Sequence, residues 1–188
     1  MYWRIFFQRM SFLSKLKKWW PKWLKLGYRS VFTPENIKRE IMEDTNRRLS
    51  EYEKKKPRGL RNNNPGNIRH SSTKWRGEIK GSDPDFKTFE RIEDGYRALI
   101  KLLKTYYNKY GLTSINGIVN RWAPPNENDT NAYIFFMATR TGYPSNQPLP
   151  FDKEHIVKIA SAISRMENGI DAVEQEVLDG WETLQKYP

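Results

Sequence analysis

The sequence predicts a mainly α-helical domain with a small β region near its start, preceded by a helical N-terminal arm. Three observations carry this prediction. Apolar residues recur at helical spacing from Asp94 to Gln185, in blocks separated by Gly and Pro. Ahead of them, residues 58–93 hold an Asn-rich turn and short pieces of strand character. The first 30 residues concentrate cations and aromatic rings. The boundaries follow the composition: an arm over 1–30, a polar helical linker over 31–56 and a folded domain over 57–188.

The arm carries most of the charge. The chain is +11 overall, and residues 1–30 supply eight cations with no acid before Glu35. What remains is 25 basic against 22 acidic residues, so the basic balance says little about the domain's partner. Phe12, Leu13, Leu16, Trp19, Trp20, Trp23 and Leu24 fall near helical spacing, with lysines between them and Pro21 as a kink. No run reaches the roughly 20 apolar residues of a spanning helix, and no clean apolar core with a small-residue cleavage site marks a signal peptide. The pattern fits an interfacial helix on an anionic membrane surface. A partner protein is the second reading and nucleic acid the last.

The linker opens on Thr33-Pro34-Glu35, an N-cap followed by proline at the first helical position. Ile37, Ile41 and Leu49 give a thin stripe that Lys54-Lys55-Lys56-Pro57 ends. Then comes Gly59-Leu60-Arg61-Asn62-Asn63-Asn64-Pro65-Gly66-Asn67-Ile68-Arg69, which cannot be the middle of a helix or a central strand. Asn side chains bond their own backbone, Pro65 lacks a donor, and Gly66 invites positive φ. Such a run of amides suits a polymer rich in hydroxyl and amide groups. Trp75, Ile79, Phe86 and Phe89 around Gly81-Ser82-Asp83-Pro84 suggest a small hairpin.

Helices follow. Asp94 is expected to cap one through about Tyr110, with Ala98, Leu99, Leu102, Leu103 and Tyr106 inward and Gly111 as a stop. Thr113 is expected to cap a second, bearing Ile115, Ile118, Val119 and Trp122. Residues 126–130 start a third that carries Tyr133, Ile134 and Met137 to Gly142. Asp152 caps a fourth through about Met166, closed by Gly169, and a last helix spans roughly Asp171 to Gln185.

Composition limits the chemistry. Without cysteine, neither disulfides nor thiolate metal sites are possible. With only His70 and His155, nucleophilic triads and metal centres are not expected, and no cofactor is implied. Carboxylates remain, and the useful question is which acid a helix places on its buried face. Ile156, Ala160, Ile163 and Glu167 are spaced four, three and four residues apart, which puts Glu167 on the core side. The helix's negative end and desolvation both favour the protonated acid there, the form a proton donor needs. The opposing possibilities are an exposed Glu167 or one paired with Arg165 or Arg121. Glu127 is the rival candidate, on a helix N-terminus that favours an ionised carboxylate. Glu78, Asp83 and Asp85 offer second carboxylates that nothing in the sequence ranks.

Together, Arg58–Arg69, Trp75-Arg76-Gly77, Phe86-Lys87-Thr88-Phe89, Gly95-Tyr96-Arg97-Ala98, Arg121–Thr130, Tyr133 and Glu167-Asn168-Gly169 resemble the lysozyme-like muralytic domain of phage structural proteins. The resemblance covers about residues 57–170. It implies a lysozyme-like α+β fold with a substrate cleft, and cleavage of peptidoglycan between N-acetylmuramic acid and N-acetylglucosamine by a lytic transglycosylase or lysozyme. Glu167 would then be the acid, with Asn63, Asn67, Trp122 and Tyr133 as glycan contacts. The usual order in such enzymes puts Glu-Ser-Gly before the Asn-rich turn. Here the order is reversed, which suggests a circular permutation with Glu167 folded back beside Asn63–Asn67. The resemblance also implies a virion protein acting at the host cell envelope, with the arm on a membrane or on virion partners. The alternatives are a non-catalytic structural or glycan-binding protein on this fold, and a nucleic-acid-packaging protein led by the arm.

Overall fold

The computed structural model describes residues 33–126 and 128–188. The arm over 1–30, with the membrane, virion-partner and nucleic-acid expectations attached to it, lies outside the described residues, as does Glu127. The chain divides into two units, Met1–Lys54 and Lys55–Pro188.

The described part of the first unit is essentially one helix, α1, over Pro34–Lys55. It begins where Thr33 Oγ1 accepts from the Asn36 amide at 3.1 Å. It buries no residue, and Ile41, Met42 and Leu49 remain exposed. Its order comes from propensity and from local pairs, with Asp44 facing both Arg47 and Arg48.

The second unit starts with a single helical turn, α2, over Arg58–Arg61. Two short strands follow, β1 over Glu78–Ile79 and β2 over Thr88–Phe89. They pair antiparallel with Glu78 opposite Phe89 and Ile79 opposite Thr88. The turn joins this hairpin through an isolated bridge between Arg69 and Phe86. The rest is helical: α3 over Ile92–Tyr110, α4 over Ile115–Trp122, α5 over Thr130–Thr141, α6 over Lys153–Asn168 and α7 over Glu174–Lys186. The unit is therefore mainly helical with a small two-stranded sheet. No helix among the described residues is long and apolar enough to cross a membrane.

The core forms around α3. Leu99, Ile100 and Leu103 are fully buried and pack with Ile156, Ile159 and Ile163 of α6 and Val177 and Leu184 of α7. A polar bond crosses this core, Tyr96 Oη to Ser164 Oγ at 3.0 Å. Burial pushes the Tyr96 phenol up to about 12, so it keeps its proton at any ordinary pH.

Several helix ends differ from expectation, each for a local reason. Ser114, not Thr113, caps α4, its Oγ accepting from the Gly117 amide. Asp94 does not cap α3; it lies in the first turn and faces Arg76 and Arg91. Asp171 does not start α7, because its carboxylate faces Arg140 and Arg165. Asp129 and Asp152 cap α5 and α6 through side-chain oxygens, and Gly111, Gly142 and Gly169 close α3, α5 and α6 in left-handed backbone.

Candidate active site

The Asn-rich turn is built by its own amides. Asn64 is completely buried; it donates to the carbonyls of Ile68 at 3.0 Å and Lys87 at 2.8 Å and accepts from the Ile68 amide at 2.9 Å. Asn63 donates to the carbonyls of Phe89 and Glu90 at 3.0 and 3.1 Å, and Asn62 donates to Asp83 at 2.8 Å. Asn63 and Asn67 both adopt left-handed backbone, with φ of 49° and 48°. These bonds tie the turn to the hairpin, while the Asn67 amide reaches Glu167.

Helix α6 delivers its last turn to this surface. Asn168 donates to the carbonyls of Pro65 at 2.8 Å and Ser164 at 2.9 Å, locking the helix end to the turn. The side-chain oxygens of Asn67 and Asn168 both face Gly59; a Cβ there would stand 2.6 and 2.5 Å from them. Only a residue without a side chain lets α2, the turn and α6 converge. Gly95 plays the same part on the other flank, since a Cβ on it would lie 1.9 Å from the Asn63 carbonyl oxygen.

Glu167, half-buried, is the centre of the arrangement. Its Oε2 accepts from Asn67 Nδ2 at 3.0 Å. Its Oε1 accepts from Trp122 Nε1 and from the Tyr133 hydroxyl, each at 3.1 Å. The donors come from the turn, from the end of α4 and from α5, so three separate segments fix one carboxylate. Burial, then the Glu167 charge and the bond to it, hold the Tyr133 phenol far above its usual range, so it acts as a donor throughout. The apolar stripe does place Glu167 toward the interior, but its immediate surroundings are polar donors. Neither expected cation reaches it: Arg165 faces Asp171 and the Gly169 carbonyl, and Arg121 lies over the rings of Tyr110 and Tyr106.

The carboxylate opens on a cleft of about 240 Å³. It is lined by Gly66, Asn67, Ile68, Arg69 and Phe86 from the turn and hairpin region, and by Leu102, Tyr106, Trp122, Ala123 and Asn128 from α3, α4 and the segment after α4. Leu102 and Tyr106, expected inward on α3, are half-buried because they form this wall. Of the predicted glycan contacts, Asn67 and Trp122 line the cleft with Glu167. Tyr133 lies behind, in contact with the acid, and Asn63 lies outside, holding hairpin carbonyls.

The other carboxylates are engaged elsewhere. Burial opposes ionisation of Glu78, but Lys87, at 3.0 Å, and the Trp75 amide hold it below its usual value. Arg58 grips Asp83 through two nitrogens at 2.7 Å and, despite the cost of burial, holds its carboxyl well below the ordinary range. Asp85 shares that arginine. None of these lines the cleft. Among the described residues no group of three or more His, Asp or Glu is placed to hold a metal ion. His155 sits beside its cap residue Asp152 and stacks on Tyr143, away from the cleft.

Asn64, Asn168, Gly59, Tyr106 and Asn128 complete the site without having been marked individually by the sequence. Asn168 and Gly59 belonged to recognisable motifs, but nothing local tells a bridging amide from a surface one.

A mainly helical domain with a carboxylate-centred, aromatic cleft is thus the class of molecule on view. No family model matches the chain. It is 49% identical over 116 residues to protein P5 of Pseudoalteromonas phage PM2, an alignment covering 60% of this chain and 71% of that protein. The chain belongs to the family of this phage protein.

Proposed function

We propose that the domain is a lysozyme-like muralytic enzyme that cuts the glycan strand of peptidoglycan, with Glu167 as its acid. The observation that carries this reading is the Glu167 carboxylate, held by three donors at the wall of an aromatic cleft and facing no cation among the described residues. Membership of a phage protein family is in keeping with a virion protein that meets the host envelope.

The two carboxylate oxygens are not equivalent. Oε1 receives two donors and has no free lone-pair direction, whereas Oε2 receives one. Oε2, beside Asn67, is therefore the oxygen left to exchange a proton. Oε2 gives that proton to the glycosidic oxygen as the C–O bond breaks. Among the described lining residues Glu167 is the sole carboxylate, which favours the route needing one acid. In that route Oε2 then takes the proton of the sugar's own 6-hydroxyl as its oxygen closes on the anomeric carbon, giving a 1,6-anhydro product. Trp122 and Tyr106 offer ring surface to the sugar, and Asn67 and Asn128 offer amides to its substituents.

Glu167→Gln keeps the shape and loses the proton. Clearance of peptidoglycan suspensions is expected to fall by about 10²-fold or more with an unchanged circular dichroism spectrum. Undiminished clearance by this variant would remove Glu167 from the chemistry. Mass spectrometry of the wild-type products separates anhydro from reducing ends, and reducing ends would overturn the one-acid route. Peptidoglycan binding with no turnover by the wild type would instead favour a non-catalytic module.

A further inference from the structure

Beyond the cleft, α3 and α4 present a second polar feature. Leu102, Tyr106 and Tyr110 follow one another at every fourth residue along one face of α3. The first two line the cleft and the third lies past its end, 43% exposed. Arg121 projects from the last turn of α4 onto this strip. Its guanidinium lies 3.9 Å from the centre of the Tyr110 ring and 5.4 Å from that of Tyr106. The next residue, Trp122, reaches Glu167 and meets Tyr106 edge to face at 6.4 Å between ring centres. The cation therefore adjoins the proposed acid through one ring pair.

Among the described residues, what Arg121 lacks is an acid. Arg58, Arg76, Arg91, Arg140 and Arg165 each face a carboxylate, and Arg97 binds the Tyr187 carbonyl. Among the described residues Arg121 makes no ion pair, although it is exposed and lies over two rings. From Gly95 to Asn126 the sequence contains five cations and no Asp or Glu. One donor of the guanidinium is engaged by the Tyr106 side chain, and the remaining donors of a planar fork match a carboxylate.

We propose that Arg121, seated on Tyr106 and Tyr110, is a carboxylate-recognition subsite for the saccharide next to the one in the cleft. Its ligand is the carboxylate carried by a muramic-acid-type sugar, either on its peptide substituent or on a bare lactyl group. The site selects acidic glycan strands over neutral N-acetylglucosamine polymers. This rests on the proposed peptidoglycan reading.

The test uses the full chain with Glu167→Gln to stop turnover, alone and combined with Arg121→Gln. Binding is measured by calorimetry to peptide-bearing glycan strands, to strands stripped of peptide by an amidase, and to chito-oligosaccharides. Removing the guanidinium is expected to weaken binding to acidic strands about tenfold and leave neutral oligomers unchanged. The difference should shrink in high salt. A loss confined to peptide-bearing strands assigns the peptide carboxylate, and a loss on stripped strands as well assigns the lactyl group. Equal weakening on acidic and neutral glycans, or none on either, overturns the subsite. If wild-type protein clears peptidoglycan while Arg121→Gln binds and clears as well as wild type, only the subsite fails. If wild type neither binds nor clears any glycan, both readings fail.

Discussion

Asn63 and Asn67 share left-handed backbone, φ 49° and 48°, and use it to opposite ends. Asn63 closes on hairpin carbonyls, whereas Asn67 donates to Glu167. In the sequence they are interchangeable: two amides in one turn, equally suited to bind a sugar. The difference lies in partners 26 and 100 residues away, which no local pattern reveals. Glu167 was legible because helical spacing alone sets its face. Trp122 and Tyr133 were legible as inward rings, but their polar ends were not. Tyr133→Phe removes one of the three donors while keeping the ring. Its turnover of peptidoglycan is expected to fall about tenfold, read as kcat in a clearance assay. Asn168→Ala strips the Pro65 and Ser164 carbonyls of a donor and opens a gap in a buried place. It should cost about 2 kcal/mol in urea unfolding.

The elements follow rules that the sequence states plainly where one residue can act and ambiguously where two can. Asp129 and Asp152 cap α5 and α6 because each is the acid directly ahead of its helix. Thr113 and Ser114 are adjacent hydroxyls, and packing of Ile115 and Ile118 settles the choice one residue later than expected. The contact of α3 with the turn depends on a residue that sequence reading passes over as ordinary, Gly95. Gly95→Ala forces Cβ against the Asn63 carbonyl and should destabilise by about 3 kcal/mol, seen as a lowered urea midpoint. The hairpin end has its own acid sensor. The Asp83 carboxyl is depressed in the folded state, so its stabilisation is complete well above the unfolded value of about 3.9 and is lost as pH falls through the folded value. Asp83→Asn is therefore expected to lower the melting temperature most at neutral pH, with the gap to wild type closing on acidification. A gap that stayed constant with pH would show that the charge of Asp83 is not what stabilises this corner.

At the scale of the molecule, the chain divides into Met1–Lys54 and Lys55–Pro188. Helix α1 buries nothing, and the second unit holds its own core. A chain of residues 55–188 is expected to melt within about 2 °C of the full chain by calorimetry. The mainly helical character and the placement of a short hairpin before the helices were readable from periodicity and turn residues. The convergence of turn and last acid, a bond of 3.0 Å between Asn67 and Glu167, was expected from the resemblance and not from spacing, which fixes the face of a helix and leaves open which surface that face will meet.

The bonds from Asn67 to Glu167 and from Asn168 to Pro65 span 100 and 103 residues of chain. Synthesis proceeds from the turn toward α6, so a growing polypeptide carries the Asn-rich turn long before it carries Glu167. Whatever chemistry the cleft performs, it cannot begin on the ribosome: the emerging chain stays inert until α6 has left the exit tunnel and folded back. A protein that cuts cell walls would thereby be harmless while incomplete, with no inhibitor required.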